Sequence, residues 1–108
     1  MGKHYLLNLY GCSSSLLDDE LFIINLITKA ANKCGASILH TASHKFTPQG
    51  VTAILLLSES HISIHTWPEV SNAAIDVYTC GIADPKVACD ILIKELESTS
   101  HTMSYIER

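Results

Sequence analysis

The stretch VTAILLLSESHISIH, residues 51–65, decides the fold. Val51–Leu57 is a continuous apolar run rich in β-formers, consistent with a central strand. His61-Ile62-Ser63-Ile64-His65 alternates strictly between polar and apolar, which predicts a second strand. Upstream, residues 4–10 read as a first strand and Gly11–Ser15 as a loop. A helix is predicted from Asp18 to Cys34, with Asp18, Asp19 and Glu20 at its positive end and Gly35 as its stop. Residues 36–46 read as a strand and Pro48-Gln49-Gly50 as a turn.

Downstream, Trp67–Asn72 reads as a loop and Ala73–Cys80 as a strand. In that strand Ile75, Val77 and Thr79 share one face and Asp76, Tyr78 and Cys80 the other. Asp84-Pro85 opens a helix as cap plus first-turn proline, with Val87, Ala88, Ile91, Leu92 and Leu96 as its apolar arc. Residues 101–106 add a last strand. The order predicts an α+β fold, a two-layer sandwich of a largely antiparallel sheet with two helices on one face. The other face then needs solvent, a ligand or another subunit.

Composition narrows the function classes. At 108 residues the chain is one domain, and 47% hydrophobic against 17% charged residues excludes disorder. Seven Lys and Arg against 11 Asp and Glu give net −4, which is not the basic footprint of a nucleic-acid binder. No apolar run nears the roughly 20 residues of a membrane span, and Met1–His4 lacks a secretory pattern, so a cytoplasmic protein is expected. Thin polar cover on a small domain favours a homo-oligomer. Cys12, Cys34, Cys80 and Cys89 allow three pairings, but free thiols are expected, with Cys34 and Cys89 buried in helices. No CxxC occurs, so neither zinc nor a thioredoxin-type pair is indicated.

Reactive side chains concentrate between Ser58 and Cys80. A serine hydrolase is disfavoured because no GxSxG is present. The His40/His44 and His61/His65 pairs lie about 13 Å apart on strands, too far to chelate one ion. On residue types alone a polar hairpin is the simplest reading.

LSESHISIHTWPE at 57–69 with DVYTCG at 76–81 resembles the bacterial and archaeal type of S-adenosylmethionine decarboxylase proenzyme. HKFTPQGVTA at 44–53 and HYLLNLYGC at 4–12 are similar to that family as well, so the resemblance covers nearly the whole chain. It implies a self-processing enzyme cut between Glu59 and Ser60, giving chains 1–59 and 60–108. The Ser60 hydroxyl attacks the Glu59 carbonyl to form an ester. Loss of the Ser60 α-proton expels the Glu59 carboxylate, and loss of ammonia leaves a pyruvoyl group at position 60. That group forms a Schiff base with the substrate amine and accepts electrons as carbon dioxide leaves. Neither a metal nor pyridoxal phosphate is expected.

The resemblance further implies His65 as the proton acceptor in processing, Thr52 as its hydroxyl assistant in place of the usual serine, and Cys80 as the proton donor in decarboxylation. Phe46 matches an aromatic stacking on adenine and Glu69 an acid holding the ribose. Asn8 stands where many relatives carry an acid. This keeps arginine or ornithine decarboxylation open as an alternative to decarboxylation of S-adenosylmethionine for polyamine synthesis. An unprocessed, non-catalytic binding partner is the alternative of another class. One geometric demand is already visible. Ser60 and His65 on a straight strand are about 16 Å apart and on opposite faces, so they meet only through a bend or a second subunit. The resemblance implies a homodimer with its active sites at the interface.

Overall fold

Burial alternates along β5 (Asn72–Cys80): Ala73, Ile75, Val77 and Thr79 are buried, and the residues between them half-buried. The faces are those the sequence predicts. The computed structural model describes residues 1–108. Before β5 come β1 (Gly2–Tyr10), α1 (Ser14–Leu17), α2 (Glu20–Cys34), β2 (Ile38–Lys45), β3 (Val51–Leu57), β4 (Ser60–Trp67) and a 3-10 turn (Pro68–Val70). After it come α3 (Pro85–Glu95) and β6 (Ser100–Glu107). The strands form one six-stranded sheet in the order β2-β3-β4-β5-β1-β6, every neighbouring pair antiparallel. The α+β architecture with two main helices is therefore present.

α2 and α3 pack on each other and on one side of the sheet. Their Ile23, Ile27, Ala30, Ala88, Cys89 and Leu92 meet Leu7, Leu9, Leu55, Ile62, Ile64 and Val77 in a single core. Burial of this apolar surface is the main driving force, about 25 cal/mol per Å² removed from water. Asp84 caps α3 through Lys86 N–H, and Gly35 ends α2 in the left-handed conformation. No helix is long and apolar enough to cross a membrane.

Three sequence expectations shift. The predicted loop at residues 11–15 contains the start of α1, a one-turn helix capped by Ser13. α2 begins at Glu20, with Asp19 as its cap, because Asp18 is used elsewhere: its carboxylate accepts from Gly50 N–H at 2.8 Å and pairs with Lys45 at 3.0 Å. Those two contacts hold its pKa below the usual carboxylate value, Gly50 first. Val87 lies on the exposed side of α3 and outside the apolar arc.

Only one face of β3 enters the core. Val51, Ala53, Leu55 and Leu57 enter the core, while Ile54 and Leu56 on the opposite face are 42% and 54% exposed. Strand register shows what shares that open face. One row crosses it as Thr102, Asn8, Ala74, His65, Thr52 and His44, from β6 to β2. A second row runs Ile106, His4, Tyr78, His61, Leu56 and His40. Five of the chain's 6 histidines thus lie on the face that no helix covers.

Candidate active site

β3 and β4 are joined by Ser58-Glu59, a two-residue connection, because Leu57 pairs directly with Ser60. Glu59 at its tip has φ 59°, a left-handed conformation that costs a non-glycine residue about 1 kcal/mol or more. Two-residue hairpins of native twist favour glycine or asparagine at such positions. A glutamate here is a local strain located at the Glu59–Ser60 peptide.

The end of β5 closes around that peptide. Cys80 N–H donates to Ser60 Oγ at 3.0 Å, and Cys80 Sγ–H donates to the Glu59 carbonyl at 3.1 Å. Cys80 is half-buried and free, whereas Cys12, Cys34 and Cys89 are free and buried. Burial raises the pKa of all three core thiols, that of Cys89 to about 12. Glu59, Ser60 and Cys80, which sequence reasoning singled out, therefore do meet within one chain.

A second group of predicted residues assembles elsewhere. Thr52 and His65 face each other across β3 and β4, with Thr52 Oγ1 2.9 Å from His65 Nδ1. Phe46, Gln49, Trp67 and Glu69 join them around a cleft of about 400 Å³, the size of a small-molecule site. Phe46 is packed edge-on by His44 at 4.6 Å, and Trp67 lies beside His65 at 6.4 Å. Trp67 was not predicted as a site residue, although its spacing of two from His65 on a strand puts both on one face.

The two groups do not meet. β4 runs from Ser60 to Trp67 in continuous register with both neighbours, without a bulge. The rise of about 3.3 Å per residue keeps Ser60 and His65 about 16 Å apart. The bend that could have joined them is absent.

Residues 3–108 match the S-adenosylmethionine decarboxylase family. The chain belongs to that family. It is 52% identical to the S-adenosylmethionine decarboxylase proenzyme of Synechococcus sp. (strain WH7803) over 104 residues, covering 95% of this chain and 81% of the relative. The proenzyme of Prochlorococcus marinus (strain MIT 9211) is 50% identical, covering 100% and 89%. The crystal structure of the adenosylmethionine decarboxylase from Aquifex aeolicus VF5 superposes with a TM-score of 0.93 at 35% identity, covering 100% of this chain and 90% of that one. A non-catalytic partner and an arginine or ornithine decarboxylase both give way to an S-adenosylmethionine decarboxylase proenzyme, a pyruvoyl-dependent carboxy-lyase.

The decarboxylase also has a titratable cluster between its two groups that the sequence did not reveal as such. His4 Nε2 lies 3.2 Å from Asp76, and its ring packs edge-on against His61 at 6.0 Å and Tyr78 at 5.6 Å. His61 is pushed below its ordinary value of 6.5, first by burial and then by His4, with Asp76 opposing. A folded state that disfavours the His61 proton binds fewer protons than the unfolded chain, so this contribution to stability is full above pH 6.5 and is lost as pH falls through the unfolded and then the lower folded value. Thermal unfolding of the His61→Gln variant is expected to show a shallower loss of Tm between pH 7 and pH 5 than the parent. Equal slopes would refute the assignment.

Proposed function

We propose that the chain cuts itself between Glu59 and Ser60, that residue 60 becomes the pyruvoyl group, and that the working unit is a homodimer whose sites each combine one group from either copy. The observation that carries this reading is the separation of Ser60 and Cys80 from His65, Thr52, Phe46 and Glu69 along a straight β4. Family chemistry needs both groups at one place. A second copy laid on the open face supplies the missing half of each site and covers Ile54 and Leu56.

Within one copy the first step is prepared. Cys80 N–H holds the Ser60 hydroxyl, while Cys80 Sγ–H polarises the Glu59 carbonyl that the hydroxyl attacks. Strain at Glu59 raises the energy of the starting peptide. His65, with Nδ1 tied to Thr52, presents Nε2 without an intrachain hydrogen bond, ready to take the Ser60 proton in the partner's site. Attack forms an Oγ–C bond and breaks the Glu59–Ser60 C–N bond. Removal of the Ser60 α-proton then expels the Glu59 carboxylate, and water replaces nitrogen at residue 60 with release of ammonia.

The surroundings fit a new keto group at residue 60. The buried Thr79 hydroxyl has no hydrogen-bond partner in the uncut chain and lies one position beyond the His61–Tyr78 pair, opposite residue 60. An acceptor formed there would satisfy it. The pyruvoyl group supplies an electron sink for the bond to the substrate carboxylate. Cys80 stands beside residue 60 to return a proton to the substrate carbon. In the cleft Phe46 offers a flat face for adenine, and Glu69 accepts from the ribose hydroxyls. Asn8, bonded to Thr102 at 3.2 Å, lies in the same row as His65 with only Ala74 between them.

Denaturing mass spectrometry and a carbon dioxide assay test the proposal together. Two fragments, with 60–108 beginning in a pyruvoyl group, and carbon dioxide from carboxyl-labelled S-adenosylmethionine but not arginine or ornithine are expected. A single species of 11.8 kDa after purification would overturn it.

A further inference from the structure

We propose that the Tyr78 hydroxyl is a positioning group for the Cys80 thiol, and that it becomes the thiol's main intrachain partner once the Glu59 carbonyl has left. The inference rests on the reading of Cys80 as proton donor beside a cut at Glu59–Ser60.

Tyr78 and Cys80 are two positions apart on β5, so their side chains leave the same face. In the uncut chain Cys80 Sγ has two acceptors in range: the Glu59 carbonyl at 3.1 Å and Tyr78 Oη at 3.5 Å, an ordinary separation for sulfur. The thiol has one proton, and the shorter contact uses it for processing. Cutting the peptide frees Glu59 from the strand and turns its carbonyl into a chain-terminal carboxylate. Of the two partners, only Tyr78 is still fixed in the sheet.

Three neighbours pack against the Tyr78 ring and fix the direction of its hydroxyl. His4 on β1 and His61 on β4 pack against the ring at 5.6 and 5.8 Å, and the Arg108 guanidinium sits 5.3 Å from its centre. Gly2 makes room for it: a Cβ there would fall 2.5 Å from the Tyr78 hydroxyl. Gly2 is itself tied to Arg108 by two backbone hydrogen bonds of 2.8 and 2.9 Å. The charged and titratable groups around the pair are therefore His4, His61, Arg108 and Glu59. The hydrogen bond to Cys80, followed by burial, raises the Tyr78 pKa above its ordinary 10.0. The phenol consequently keeps its proton while the thiol gives one up. After Cys80 has protonated the substrate carbon, Tyr78 O–H donates to the thiolate left behind and steadies it for reprotonation by water.

Tyr78→Phe removes only the hydroxyl. Cleavage at 59–60 is expected to proceed within about twofold of the parent rate, because the Glu59 contact does not involve Tyr78. In the cleaved enzyme, iodoacetamide alkylation of Cys80 is followed against pH by intact mass. Its midpoint is expected to move to higher pH, slowing alkylation at pH 7 by about tenfold, while kcat falls and KM holds. Gly2→Ala, which keeps the hydroxyl but displaces the ring, is expected to move the midpoint the same way. Unchanged alkylation profiles in both variants would overturn the role of Tyr78 alone. So would a Tyr78→Phe chain whose cleavage slows as much as its turnover, since that marks a general structural defect. An uncut parent chain overturns the cleavage reading and this inference with it.

Discussion

Replacing Ser60 by alanine is expected to leave one uncut chain of 11.8 kDa with no measurable decarboxylation. On the proposed mechanism, without Oγ there is no nucleophile for the Glu59 carbonyl, and without cleavage there is no keto group. The loss of rate is at least about 10⁶-fold, because the electron sink itself is gone. Folding is expected to survive. Ser60 is only half-buried, and its hydroxyl accepts a single intrachain bond, from Cys80 N–H. A Tm within a few degrees of the uncut parent, read alongside the intact mass, separates lost chemistry from lost structure. Cleavage persisting in Ser60→Ala would place the scissile bond elsewhere.

Mixing two inactive chains gives the second large effect. On the proposed mechanism, Ser60→Ala lacks the nucleophile and His65→Ala lacks the base. If each site joins Ser60 of one copy to His65 of the other, a mixed dimer contains one intact site and one doubly defective site. Random association of equal amounts makes half the dimers mixed, so about one quarter of parental activity is expected to return. Cleavage is expected in His65→Ala chains only, in about half of them. Coexpression followed by mass spectrometry reads this directly. Recovery absent in a demonstrated mixed dimer would mean that each copy builds its site alone, against the straight β4.

Much of this arrangement was legible in the residues. Alternation in 73–80 assigned Thr79 to the core side and Cys80 to the open side, because a strand's period of two leaves no other choice. Asp84-Pro85 announced α3 by local chemistry alone. What stayed hidden depended on distant partners. Asp18 reads as a helix-opening acid until Gly50 and Lys45 claim its carboxylate. Nothing local sets Ile54 and Leu56 apart from the core residues of β3, because transfer from water rewards an aliphatic side chain alike under a helix or under another subunit. The pairing of Cys80 with the Glu59 carbonyl is a product of register between β4 and β5, and the DVYTCG and LSES motifs only hinted at it by resemblance. Tyr78 was on the correct face from the start, but nothing local in the sequence says that its hydroxyl reaches the thiol.

With the proposed cut at Glu59–Ser60, the strand order has a consequence for how long the mature molecule lasts. Residues 1–59 contribute β1, β2 and β3, and residues 60–108 contribute β4, β5 and β6. In the order β2-β3-β4-β5-β1-β6 the two pieces meet at three seams: β3 with β4, β5 with β1, and β1 with β6. The precursor regains this interleaving by folding one covalent chain. The cut product, once unravelled, must find its other piece by diffusion and rebuild a mixed sheet from two strangers. Thermal or denaturant unfolding is therefore expected to reverse readily for Ser60→Ala and to depend on concentration for the cleaved protein. Maturation by the proposed cut would thus act as a ratchet: it would equip the protein for catalysis while removing the covalent link that guided its assembly.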